Sequence, residues 1–158
     1  MSTRIPFPFY YLGIAEAVSK RSTCLSKRYG AVIVKDNSVK STGYNGAPKG
    51  RKNCTDIGHC PRIANNVPRG TDYSTSCRSV HAEQCAIINA APEEMKDATL
   101  YLFGYDRVKK MIVPDASCCP ICKRMVINAG IRDIVVADSE NGISHPEVPY
   151  KYRTIQVS

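Results

Sequence analysis

The chain has 158 residues, 43% hydrophobic and 23% charged, which suits one globular domain over residues 1–158 with a core of its own and excludes a disordered or fibrous polymer. No apolar run approaches the ~18 residues a membrane helix needs, and the opening Met-Ser-Thr-Arg-Ile-Pro lacks the apolar stretch of a signal peptide, so a cytoplasmic location without a membrane partner is expected. The net charge of +8 favours anionic partners, a class that holds free nucleotides and nucleic acid alike.

Leu12, Ala15 and Val18 recur at helical spacing and predict a first helix from about Pro8 to Arg21. Tyr29 to Lys35 is apolar and β-branched, Asp36-Asn37 is a turn pair, and Val39 to Tyr44 returns, so a hairpin follows. From Asn45 to Ser79 no period persists. A stretch of that length in a compact domain is functional or held by something. Val80 to Ala91 reads as a helix apolar nearly all round and therefore buried. Ala98 to Phe103 is a third strand, Gly104 to Ser117 a polar loop, Cys119 to Asn128 a helix closed by Gly130, and Ile131 to Ala137 a fourth strand. Arg153 to Val157 can add an edge strand. The order β-β-α-β-α-β implies an α/β sandwich whose last steps are parallel crossovers.

Eight cysteines in a chain with no sign of export, beside histidine and a Cys-x-x-Cys pair, point to metal ligation rather than disulfides. His81, Cys119 and Cys122 are three ligand types suited to zinc, and three protein ligands leave the fourth position of a tetrahedral ion for water. Glu83 lies beside them without being needed as a ligand, so it can carry the proton of that water. Both ligand segments begin predicted helices, where exposed N–H groups favour thiolates.

His-x-Glu followed by Pro-Cys-x-x-Cys is the signature of the zinc deaminases of nucleobases. Here Cys118 stands where that signature has proline. With Lys20 to Cys24, Gly43 to Gly46, Cys77 to Glu83, Cys119 to Cys122 and Ala129 to Ile131, the chain resembles the cytidine deaminase superfamily and, within it, the deoxycytidylate (dCMP) deaminases, from about residue 10 to 137. The resemblance implies a three-layer α/β/α sandwich with a central mixed sheet. It implies hydrolysis of dCMP to dUMP and ammonia, with zinc on His81, Cys119 and Cys122 and Glu83 as proton donor and acceptor. It also implies that Asn45 contacts sugar or base, and that Gly43, Tyr44, Asn45 and Gly46, with Arg78 nearby, serve a site where dCTP activates and dTTP inhibits, a Mg2+-carrying triphosphate site in a homohexamer. Some members of the family carry a second, structural zinc, for which Cys24, Cys54, His59 and Cys77 are the candidates here, with Cys60 as substitute. Arg21, Ser22 and Lys27 are candidates for a 5′-phosphate.

Three other readings stay open on these residues: an enzyme that also takes dCTP, a tRNA-adenosine or polynucleotide-cytidine deaminase, and a noncatalytic zinc module that binds nucleic acid. Single strands are usually gripped by stacking aromatics, and with no Trp and 8% aromatics this chain is expected to take no nucleic acid.

Overall fold

A computed structural model of the protein describes residues 4–68, 77–114 and 116–157. The first helix, α1 (Phe7–Ser19), enters through Pro6 and Pro8, where prolines cost no helical hydrogen bond, and buries Phe9, Leu12, Ala15 and Ser19 along one stripe. Strands β1 (Lys27–Lys35) and β2 (Ser38–Tyr44) pair antiparallel across Asp36 and Asn37, both at positive φ (52° and 55°), the pattern of a tight hairpin turn. Two single-turn helices follow, α2 (Cys54–Ile57) and α3 (Pro61–Ala64). Helix α4 (Ala82–Ile88) and the short α5 (Pro92–Met95) lead to β3 (Thr99–Asp106). The chain returns on β3 as β4 (Met111–Ile112), then forms α6 (Pro120–Asn128), β5 (Asp133–Asp138), β6 (Ile143–His145) and β7 (Val148–Gln156).

These strands form one mixed sheet in the order β2-β1-β3-β5-β7-β6, with β4 attached to β3. Period-2 alternation divides the core between its two faces. Val32, Val34, Tyr101, Phe103, Val135 and Ala137 pack on one face with Phe9, Leu12 and Ala15 of α1. Ala31, Ile33, Leu100, Leu102, Ile134 and Val136 pack on the other with Ala82 and Ala86 of α4 and Val126 of α6. This is the expected three-layer α/β/α arrangement around a mixed sheet. Each fully buried Leu, Ile or Phe in it contributes on the order of 1.5–3 kcal/mol.

Three expectations are corrected. The last strand is not an edge: β7 runs nine residues and sits between β5 and β6, antiparallel to both, so β6 is the terminal strand. The polar residues Lys151, Arg153, Thr154 and Gln156 hide the length of β7 and its interior place from a reading by apolar pattern. Helix α4 is not buried all round, since Ile88 is 71% exposed and only Ala82, Glu83 and Ala86 are buried. The parallel crossovers hold as expected: β2 and β3 both pair antiparallel with β1 and so run parallel to each other, and β3 pairs parallel with β5. The predicted loop from Gly104 begins as strand, since β3 continues to Asp106 before turning into β4.

Candidate active site

Both ligand segments come to the same place because two helices start there. His81 is the N-cap residue of α4 and Cys119 that of α6. His81 Nδ1 lies 3.2 Å from Cys122 Sγ and 3.5 Å from Cys119 Sγ. Among the described residues these three form the group whose ligand atoms all fall within 4.8 Å of one another. A tetrahedral zinc with ordinary Zn–N and Zn–S bonds needs N···S separations of about 3.5 Å, so the three fit the ion with shifts of a few tenths of an ångström. Cys118 is outside this group, so the missing proline of the signature does not change the ligand set.

The Cys119 sulfur also accepts the backbone N–H of Cys122 at 3.3 Å. The Cys122 thiol hydrogen-bonds to Cys119 and holds it well below the usual thiol range, with His81 and that N–H helping against burial, while Cys122 is pushed up in turn. His81 is raised chiefly by its own hydrogen bond to Cys119, opposed by burial. Glu83, in the first turn of α4, is 5% exposed. Burial pushes its carboxyl above the ordinary carboxylate range, opposed by its own backbone N–H, by the charge of His81 and by a hydrogen bond with Cys118. A carboxyl raised in this way is suited to taking and returning a proton near neutral pH.

The residues that fix these groups were only partly visible in the sequence. Gln84 Oε1 accepts the His81 N–H at 2.9 Å, closing the first turn of α4; an N-cap followed three residues later by Gln is the available signal. Helix α4 is fastened to β2 by Ser41 Oγ donating to Ala86 O (2.7 Å) and Asn89 Nδ2 donating to Thr42 O (3.0 Å). Gly43 lies directly beneath: a Cβ there would stand 2.4 Å from both Ala82 O and Ala86 N. Gly46 exchanges two backbone hydrogen bonds with Val80 (3.2 and 2.7 Å), which tethers the residue before His81. Tyr44, between them, is 37% exposed on the edge strand.

Asn45 is 7% exposed and nearly used up within the protein. Its Oδ1 accepts from Ser22 Oγ (2.6 Å) and Tyr29 N (2.8 Å), and its Nδ2 donates to Lys27 O (2.9 Å). One amide hydrogen remains by the donor inventory, and Asn45 lines the cavity. Ser22 is therefore a buried support, and Arg21 is exposed at the end of α1, away from the cavity wall. That cavity, of about 980 Å³, is lined by His81, Glu83 and Cys119 and also by Lys27, Arg62 and Lys109.

Cys24, Cys54, Cys60 and Cys77 line the same cavity, and Cys54 is raised by burial and then by the other three thiols. His59 is exposed and does not line it, whereas Cys60 does, and among the described residues these four cysteines do not form a group with sulfurs all within 4.8 Å of one another. Arg78 is exposed at the end of the irregular segment, and its charge reaches Cys54.

The family described as the cytidine and deoxycytidylate deaminase zinc-binding region matches residues 8–138. The chain belongs to this family. A deoxycytidylate deaminase of Mycobacterium phage D29 is 38% identical over 130 residues, covering 80% of this chain and 90% of that protein. One from Schizosaccharomyces pombe is 34% identical over 137 residues, 86% of this chain but 38% of the longer yeast protein. Among solved structures, the dCMP deaminase of cyanophage S-TIM5 in apo form shares the fold, with a TM-score of 0.53 at 22% identity over 90% of each chain. Among the described residues of this deaminase-family chain, no helix is long and apolar enough to cross a membrane.

Proposed function

We propose that this chain hydrolyses dCMP to dUMP and ammonia with zinc held by His81, Cys119 and Cys122. The observation that carries the reading is the three-ligand group with Glu83 buried beside it in one cavity, in a chain similar to named deoxycytidylate deaminases. Zinc bound by three protein ligands supplies a water whose pKa falls to about 7. Glu83 takes one proton of the attacking water as its oxygen bonds to C4 of cytosine and passes it to N3, then carries the proton of the new C4 hydroxyl to the departing amine as the C4–N bond breaks and C4=O forms. Water is consumed, ammonia leaves and no redox partner is required. Asn45 meets the sugar or base with its remaining amide hydrogen. Lys27 and Lys109, on the cavity wall, meet the 5′-phosphate in place of Arg21.

A second zinc on Cys24, Cys54, Cys60 and Cys77 pins the irregular segment, on the support of their common place in the cavity wall. Control by dCTP and dTTP with Mg2+ through Gly43 to Gly46 and Arg78, a homohexameric assembly and a cytoplasmic location complete the proposal. Ammonia release from dCMP, dCTP, cytidine and a tRNA anticodon stem-loop, with and without dCTP or dTTP, tests it. Turnover of dCMP, lost in Glu83→Gln, is the expected result; a Glu83→Gln enzyme as fast as wild type overturns the mechanism. Native mass spectrometry is expected to count six chains with two zincs each.

A further inference from the structure

We propose that the second carboxylate oxygen of Asp106 accepts the 3′-hydroxyl of the bound nucleotide, so that the site takes nucleotides with an open 3′ end and rejects those esterified there. The inference rests on the reading of this cavity as the dCMP site and narrows its substrate class to free mononucleotides.

Asp106 ends β3, is 7% exposed and lines the cavity that holds the metal group and Glu83. Its Oδ1 accepts the N–H groups of Val108 and Lys109, each at 3.0 Å, which uses both lone pairs of that oxygen and fixes the plane of the carboxylate. Among the described residues no group bonds to Oδ2. The turn after β3 needs one side-chain oxygen, and asparagine would supply it as well. The second oxygen and the charge are surplus to the turn. A buried carboxylate oxygen left without a donor is costly, and on a cavity wall it calls for a donor that arrives with a ligand.

A carboxylate only accepts. The donors that dCMP brings are its 4-amino group and its 3′-hydroxyl. The amine belongs at the metal group, where it departs, and Asp106 lies outside that group. The hydroxyl is the donor that remains. Strand register agrees with this. Lys27 stands opposite Asp106 in the pairing of β1 with β3, Lys109 holds Asp106 through its N–H, and both lysines line the cavity. The 3′-hydroxyl and the 5′-phosphate leave a deoxyribose from adjacent ring carbons, so an acceptor flanked by two ammonium-bearing side chains matches both groups at once. A phosphate esterified to the hydroxyl removes the donor and sets a negative charge against a buried carboxylate. Every internal nucleotide of a nucleic acid carries that ester.

The test compares three substrates of zinc-loaded wild type, Asp106→Asn and Asp106→Ala: dCMP, 2′,3′-dideoxyCMP, which lacks only that hydroxyl, and deoxycytidine 3′,5′-bisphosphate. Loss of a hydrogen bond to a charged group predicts that wild-type kcat/KM falls about 10- to 100-fold from dCMP to the dideoxynucleotide. Asp106→Ala should lose a similar factor on dCMP and little more on the dideoxynucleotide, since one contact is not lost twice. Asp106→Asn, which keeps the acceptor for the turn, should raise the ratio of bisphosphate to dCMP turnover about tenfold. Equal use of dCMP and the dideoxynucleotide by wild type overturns the proposal, as do additive losses in Asp106→Ala or an unmoved bisphosphate ratio in Asp106→Asn. Calorimetric binding of dUMP and 2′,3′-dideoxyUMP needs no turnover and separates the two readings. If wild type prefers dUMP by the same factor yet releases no ammonia from dCMP, the deamination fails and the hydroxyl contact stands. If ammonia is released without that preference, the hydroxyl contact alone fails, and binding of neither nucleotide with no ammonia overturns both.

Discussion

Replacing Gly43 with alanine tests whether the close packing of α4 on β2 sets the catalytic geometry. The added Cβ would lie 2.4 Å from Ala82 O and from Ala86 N and 2.8 Å from Cys85 Cβ, about 1 Å inside ordinary contact. Two of these three atoms are helix backbone, which has no rotamer to escape into, so α4 itself must lift. Overpacking of a well-filled site costs about 1–3 kcal/mol, and a clash with backbone belongs at the upper end. At ~3 kcal/mol a domain of this size should lose roughly 6–12 °C of melting temperature. The displaced turn carries Glu83, and a shift of about 1 Å can cost on the order of 100-fold in rate. Scanning calorimetry and ammonia release at saturating dCMP read the two effects separately. Gly13→Ala on α1, where a Cβ meets nothing within 4 Å, is the control and should be neutral or slightly stabilising. A Gly43→Ala protein with unchanged melting temperature and kcat would sink the packing argument.

Asp138 is 1% exposed and accepts from Arg153 Nε (2.9 Å) and from the N–H groups of Glu140 and Asn141, which together outweigh burial and hold its carboxyl below the usual range. A depressed carboxyl stabilises the fold above its unfolded pKa of about 4 and loses that stabilisation as pH falls through the lower folded value. Asp138→Ala should therefore cost about 1–3 kcal/mol by urea titration at pH 7, with the gap from wild type closing in strong acid. Asn45→Ala strands the Ser22 hydroxyl, the Tyr29 N–H and the Lys27 carbonyl, and should destabilise by about 2–4 kcal/mol; a variant as stable as wild type refutes the support role. Zinc removal with a chelator should abolish turnover and lower the melting temperature, with recovery on zinc addition in wild type but not in Cys122→Ala. Zinc affinity should also weaken as pH drops and the ligands protonate, measured by competition with a chromogenic chelator.

The sequence made the metal group legible because its spacing is local: each ligand segment opens a helix, and a helix start was readable at both. Strands β1, β3 and β5 were legible as continuous apolar runs, the way strands covered on both faces read. What pairs at long range was not. Strand β7 reads as a weak edge segment, yet it is interior, and nothing within its own residues reports that β5 waits beside it. Gly43 and Gly46 stood out only through the family resemblance, while their places under α4 and beside Val80 depend on elements about 40 residues away in the chain. His59 reads as a better ligand than Cys60, but α3 begins at Pro61 and leaves Cys60 against the cavity wall and His59 exposed.

The paired hydrogen bonds between Gly46 and Val80 act as a clasp at the neck of residues 47–79. The clasp separates the length of that excursion from the position of His81, which follows it directly. Closing a loop costs only about 0.6 kcal/mol more for each doubling of its length. Changes in length beyond the clasp should thus leave the metal group in place while altering the cavity wall, to which Cys54, Cys60, Arg62 and Cys77 of the excursion contribute.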